Sequence, residues 1–314
     1  MKGKKIDLSN MTTLLVLIVL CVLLAIMSPV FLTGGNLINI LQQVTVNGVL
    51  AVGISIVIFT GGIDISVGSI LALVGIIMGK LMVEMGVHPL IAMPVGILVG
   101  ATCGTFNGLM IARFKLQPMI ATLGMMSMAR GAALTIANGK TITGYSAGFR
   151  WIGSGMIPGT KIPVQIIFML ILYAVVFYIM KYRKFGRYIY AIGGNEEATR
   201  LSGINVTKYK MLAYTVSGIT CALASIILVS KLNSAQSSAG EGYEMDAIAS
   251  AVIGGASLTG GFGSIWGTLL GAVIIGVIRN GLNLLNVSSY LQQLILGAII
   301  IAAVLFDSYK NRKK

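Results

Sequence analysis

The chain has 314 residues, of which 56% are hydrophobic and only 10% charged, with a mean hydropathy of +0.91; that excludes a water-soluble domain of this size. A net charge of +14 would suit a nucleic-acid binder. The Lys and Arg residues, however, fall in loops and at both ends rather than in one patch, the distribution of a topology signal, so no nucleic-acid partner is expected. Cys21, Cys103 and Cys221 lie in apolar runs without metal-ligand spacing and read as small core residues; neither a metal site nor a cofactor is expected.

Apolar runs follow one another near 11–27, 44–59, 66–79, 89–111, 118–137, 163–180, 211–229, 247–258, 264–279 and 290–306. The first follows Lys2, Lys4 and Lys5, and the stretch after it lacks a small-residue cleavage pattern, so it reads as a signal-anchor helix rather than a cleaved leader. The 247–258 run is too short to cross as a straight helix, and a re-entrant segment is open there. Residues 181–210 are the one long polar stretch and carry seven of the 23 Lys/Arg. Ten crossings put this stretch and both termini on the cytoplasmic side, together with Arg113 and Lys115. Sixteen Lys/Arg then lie inside against five outside (Lys80, Lys140, Arg150, Lys161 and Lys231), while Arg130 and Arg279 fall in or at the end of spans. The expectation is an all-α, multi-pass membrane protein with a single transmembrane domain over 1–314.

An internal repeat points to two related halves, about 44–137 and 211–306. Residues 60–69 read TGGIDISVGS and residues 259–268 read TGGFGSIWGT, aligned without gaps at an offset of 199. Glycine-interrupted apolar segments at matching places are a pointer to a transporter's translocation path, although glycines also simply let helices approach closely. Gly61, Gly62, Asp64, Ser66 and Ser69, with Asn47, are therefore candidate pathway residues. Asp64 admits two readings: a pathway carboxylate, or a residue that caps the next helix near the interface at little cost. Gln42, Gln43, Asn107, Asn280, Asn283, Gln292 and Gln293 are further neutral polar groups on apolar runs, the kind that sugar hydroxyls need.

Enzyme signatures fail. Gly139-Lys140-Thr141 ends like a phosphate-binding loop, but Leu134 stands where that pattern needs glycine. The single histidine, His88, lies in an outer loop, and there is no Gly-x-Ser-x-Gly elbow. Nothing in the chain can hydrolyse ATP, so active transport would need an energy source from elsewhere.

Within 181–210, residues 195–203 (NEEATRLSG) read as a short amphipathic helix with Asn195 as N-cap, Glu196 and Glu197 in the first turn, and Gly203 at the end. Glu197-Ala198-Thr199, three residues, then Gly203 resembles the Glu-Ala-Ala-x-x-x-Gly loop of ATP-binding-cassette importer permeases, with Thr199 in place of the second Ala. The wider string 186–206, together with 60–69 and 238–261, is similar to the ribose-type monosaccharide permeases, and the resemblance runs from about Phe31 to Phe306. It implies about ten transmembrane helices in a bacterial plasma membrane and a homodimeric pore. It also implies cytoplasmic ATPase subunits that engage Asn195, Glu196, Glu197, Ala198, Thr199, Arg200 and Gly203, and an external sugar-binding protein that delivers a monosaccharide. Ribose is the first candidate; other pentoses, galactosides and autoinducer-2 stay open. An ion-coupled secondary sugar transporter is the competing reading, with Asp64 as its one candidate proton carrier.

Overall fold

The computed structural model describes residues 8–312; the Lys2, Lys4, Lys5, Lys313 and Lys314 positions of the orientation argument lie outside them. Each apolar run is helical: α1 Leu8–Met27, α2 Gly34–Phe59, α3 Val67–Gly79, α4 Pro89–Ala112 and α5 Pro118–Ala137 in the first part. A two-residue strand β1 (Ile142–Thr143) and the short helix α6 (Ala147–Ser154) lead to α7 (Val164–Tyr182), then to α8 (Lys184–Gly194) and α9 (Glu196–Leu201). The second part holds α10 Val206–Leu232, β2 Ser234–Ala235, α11 Tyr243–Ile253, α12 Ile265–Leu284 and α13 Ser289–Arg312. β1 and β2 pair antiparallel, Ile142 opposite Ala235. The protein is an all-α polytopic membrane protein. Seven of its described helices are long and apolar enough to cross a bilayer, α3 counting through the π-helical turn Lys80–Glu84 that extends it.

The helix ends follow from local chemistry. Thr33 caps α2 by accepting from the Asn36 N–H, which starts that helix ten residues ahead of the apolar run. Pro89 and Pro118 open α4 and α5, where the missing N–H costs nothing, and Asn138 closes α5 in the left-handed conformation at φ 48°. The early polar residues of α2 are absorbed by packing: the Asn36 and Asn280 side-chain amides bond each other reciprocally at 3.0 and 2.8 Å.

α2 is the hub, with Val49, Leu50, Ile54, Val57 and Phe59 fully buried. α10 lies between α2 and α4, and its contact with α4 runs backbone to backbone. A Cβ at Gly100 would meet the Gly218 carbonyl, one at Gly104 the Tyr214 carbonyl, and one at Gly108 the Met211 backbone. Such small-residue stripes replace the hydrophobic driving force that lipid does not supply. α11 has 11 residues and so rises only about 16 Å, roughly half the hydrocarbon thickness. It ends in the glycine turn 254–263 ahead of α12.

Candidate functional site: a polar helix pair joined to two glycine turns

The 181–210 stretch holds two short helices, α8 and α9, between the end of α7 and the start of α10. α9 has the expected caps. The Asn195 side chain accepts from the Ala198 N–H at 2.9 Å, Glu196 and Glu197 occupy the first turn, and Gly203 takes φ +80° after the last one. The two acids are placed differently. Glu196 is pinned from below by Lys210 and by Lys115 at 3.4 Å. Partial burial pushes its carboxyl up, but the Lys210 ammonium outweighs that, with help from Lys115, and holds it below the usual carboxylate value. Among the described residues Glu197 pairs only with Arg200, at 2.6 Å on the open face, and the Arg200 guanidinium is held more tightly protonated by that bond. Thr199 points inward, buried, its hydroxyl donating to the Asn195 carbonyl at 2.7 Å. The outward face thus comprises Asn195, Glu197, Ala198, Arg200 and Gly203, together with Leu201, whose side chain is 79% exposed.

α8, amphipathic with Gly186, Ile189 and Ile192 buried, connects α9 to the membrane core. Its C-terminal end enters a junction of three backbones. The Tyr190 ring stacks on Phe59 at 5.1 Å, and its hydroxyl donates to the Gly263 carbonyl at 3.0 Å. The Gly261 N–H donates to the Phe59 carbonyl at 3.0 Å, tying the 254–263 turn to the end of α2. A Cβ on Gly193 would strike both the Phe59 carbonyl and the Gly261 N–H, and one on Gly260 would meet the backbone of Gly61 and Gly193. Gly61 and Gly260 themselves sit at φ +78° and +87°, where other residues are strained. The two copies of the Thr-Gly-Gly repeat therefore touch each other, and α8 touches both.

Behind the first turn lies Asp64, fully buried. Its Oδ1 accepts from the Ser66 N–H at 3.1 Å and the Ser66 hydroxyl at 2.6 Å; its Oδ2 accepts from the Ser217 hydroxyl of α10 at 2.8 Å. Asn107 of α4 donates to the Ser66 oxygen at 2.9 Å. Of the two readings of Asp64, the cheap interfacial cap does not fit the geometry. Ser66 occupies the N-cap position without a side-chain cap bond, while Asp64 forms an Asx turn inside the protein and bolts α3 to α10. Three donors and the adjacent start of α3 are what let a carboxylate be buried without a cation. Gly62 packs against the Tyr214 hydroxyl, and Ser69 is buried on α3.

Asn47 is not part of this group. Its Nδ2 donates to Asp246 Oδ2 at 3.1 Å, and Asp246 is held by Arg279 Nη2 at 2.9 and 2.6 Å. Sequence reasoning passed over Asp246 and Ser217. Asp246 had one available signal, since it stands at the repeat offset, 199, from Asn47.

The family described as branched-chain amino acid transport system / permease component matches residues 36–304. The ribose import permease protein of Escherichia coli is 46% identical over 97% of this chain and 95% of its own length. That of Bacillus subtilis is 45% identical over 94% of this chain and 91% of its own. The D-allose transport system permease protein of Escherichia coli is 38% identical over 94% of this chain and 90% of its own length. No solved structure matches. A match over most of the chain, joined by full-length relatives well above 30% identity, shows that the chain belongs to this family of transport permeases.

Proposed function

We propose that this chain is the membrane permease of an ATP-driven monosaccharide importer, with ribose as the sugar. The observation that carries the mechanism is the unbroken path from the exposed face of α9, through α8, to the Gly193 junction where both glycine turns meet. A cytoplasmic ATPase covers Glu197, Arg200 and Leu201. Closure of the ATPases swings α8, and α8 displaces both turns together, opening the path alternately to the two sides. The substrate rests on the relatives named for ribose import, and a binding protein outside the membrane delivers it.

The remaining features follow from that reading. Two copies of the chain form the pore in a bacterial plasma membrane, with 181–210 and both termini in the cytoplasm. Each chain consists of two related halves; the contacts between Asn47 and Asp246, and between Gly61 and Gly260, join positions separated by the repeat offset and support this.

The test is uptake of radiolabelled ribose, xylose, allose and galactose into proteoliposomes that hold the permease, its ATPase and the binding protein. Ribose uptake that needs internal ATP and the binding protein is the expected result. Preference for another sugar would reassign the substrate. Uptake that persists without ATP and collapses with a protonophore would replace the reading with an ion-coupled carrier.

A further inference from the structure

We propose that Asn47, Asp246 and Arg279 form a site inside the membrane that binds the hydroxyl groups of the passing sugar. The inference rests on the transport reading and names where the permease itself touches its cargo. Asn47 lies near the middle of α2, about 18–20 Å from either end, which places it near the centre of the bilayer. Around it, Arg279 Nη2 bridges both oxygens of Asp246, and Asn47 spends an amide N–H on the same carboxylate.

What is left over defines the ligand. Asn47 Oδ1, an acceptor, and Arg279 Nε, a donor, are both shut away from solvent and have no partner. Buried polar atoms in that condition are rare and costly. A polyol carries several hydroxyl groups, each donor and acceptor at once, so one kind of ligand is able to serve both atoms. The ion pair sums to zero charge, so the site suits an uncharged polyol rather than a phosphate or carboxylate. The Arg279 side chain as a whole is 35% exposed although it lies on a membrane-spanning helix. A guanidinium there avoids acyl chains, so this side of α12 borders an aqueous path, a protein partner or the headgroup region. α11, which carries Asp246, ends in the same glycine turn that α8 contacts. Movement of that turn parts α11 from α2 and gives the sugar access. The Asp64 cluster also holds an unpartnered atom, Asn107 Oδ1, but it is a lone acceptor and Asp64, Ser66, Asn107 and Ser217 are all buried, so it has no exposed side.

The experiment uses the reconstituted permease–ATPase complex with its binding protein, at saturating sugar so that the affinity of the binding protein drops out. The probes are ribose and its monodeoxy analogues. N47A and R279K are compared with wild type; R279K keeps the charge beside Asp246 but removes the Nε donor. Each variant is expected to slow ribose transport about tenfold while transport of one deoxy analogue changes little, so the preference for ribose over that analogue collapses. A residue that only props the helices would lower all sugars by one factor. An unchanged ratio in both variants overturns the site, and if N47A fails to reach the membrane, R279K alone decides. Failure of wild type to transport any of these sugars would instead sink the transport reading, and the site with it.

Discussion

Replacing Gly193 by alanine adds one methyl group at the point where α8 meets both glycine turns. In isolation the change favours a helix by about 1 kcal/mol. Here the new Cβ falls on the Phe59 carbonyl and the Gly261 N–H, which are bonded to each other at 3.0 Å. Backbone must move, since no flexible side chain stands in the way. Overpacking costs about 1–3 kcal/mol, and a buried N–H that loses its acceptor costs about 1–3 kcal/mol more. The net is roughly 1–5 kcal/mol against the native junction. The neighbouring residue supplies the control: a Cβ on Gly194 meets nothing within 4 Å. G193A should reach the membrane and capture the ATPase through an intact α9, yet lose at least tenfold in uptake, with ATP hydrolysis no longer responsive to the binding protein. G194A should behave as wild type in every readout. Full uptake by G193A, or equal damage from both variants, would refute the claim that the junction transmits motion.

Asp64→Asn keeps most of this bonding, since a serine hydroxyl facing the new amide N–H turns to accept from it, and should lower the melting temperature of the purified complex only slightly. Asp64→Leu, which strands all three donors, should lower it further; no shift in either variant would deny the bolt between α3 and α10. At Gly203 there is open space but φ is +80°, so Gly203→Val should impair ATPase co-purification through backbone strain of about 1 kcal/mol or more, while Gly203→Asn is tolerated better. Equal effects of valine and asparagine would point to surface contact instead. Glu196 has a lowered folded-state pKa, so its anchoring contribution is present above the unfolded value near pH 4.5 and is lost only as pH falls through the lower folded value. ATPase capture should therefore hold steady from neutral pH down to about 5 as far as this group is concerned, and a loss between pH 7 and 5 that Glu196→Gln abolishes would contradict it.

The apolar runs were legible because a bilayer leaves a backbone few choices, and each one forms a helix, the 247–258 run only as far as Ile253. α9 was legible too, since Asn195, the paired acids and Gly203 are local cap signals. α8 was missed although Phe185, Ile189 and Ile192 recur at helical spacing; the density of Lys and Arg masked them. The clusters were less legible for a different reason. The partners of Asp64 include Ser217, 153 residues away, and no local pattern reports such a contact. Asp64 looked like an interfacial cap because its neighbours in sequence are a glycine turn and a helix start. Asp246 was hidden by Glu241 and Glu244, which make its surroundings look like a solvated loop.

That the junction is built from glycine backbone bears on how motion passes through it. Side chains absorb a displacement of a few tenths of an ångström by small rotations within their wells, whereas backbone in van der Waals contact passes it on. Gly193, Gly260 and Gly261 leave no side chain between α8 and the turns, so a shift of α8 has no slack to take up. The first turn leads directly into Asp64 and α3; the second is continuous with α11, which carries Asp246. One movement at Gly193 therefore bears on the bolt between α3 and α10 and on the Asn47–Asp246–Arg279 group at the same time. A ligand bound at that group acts back along the same connection, since coupling between two sites is reciprocal. On this argument N47A should weaken not only transport but also the rise in ATP hydrolysis that loaded binding protein provokes, and a variant that loses transport while keeping that stimulation intact would place the sugar elsewhere.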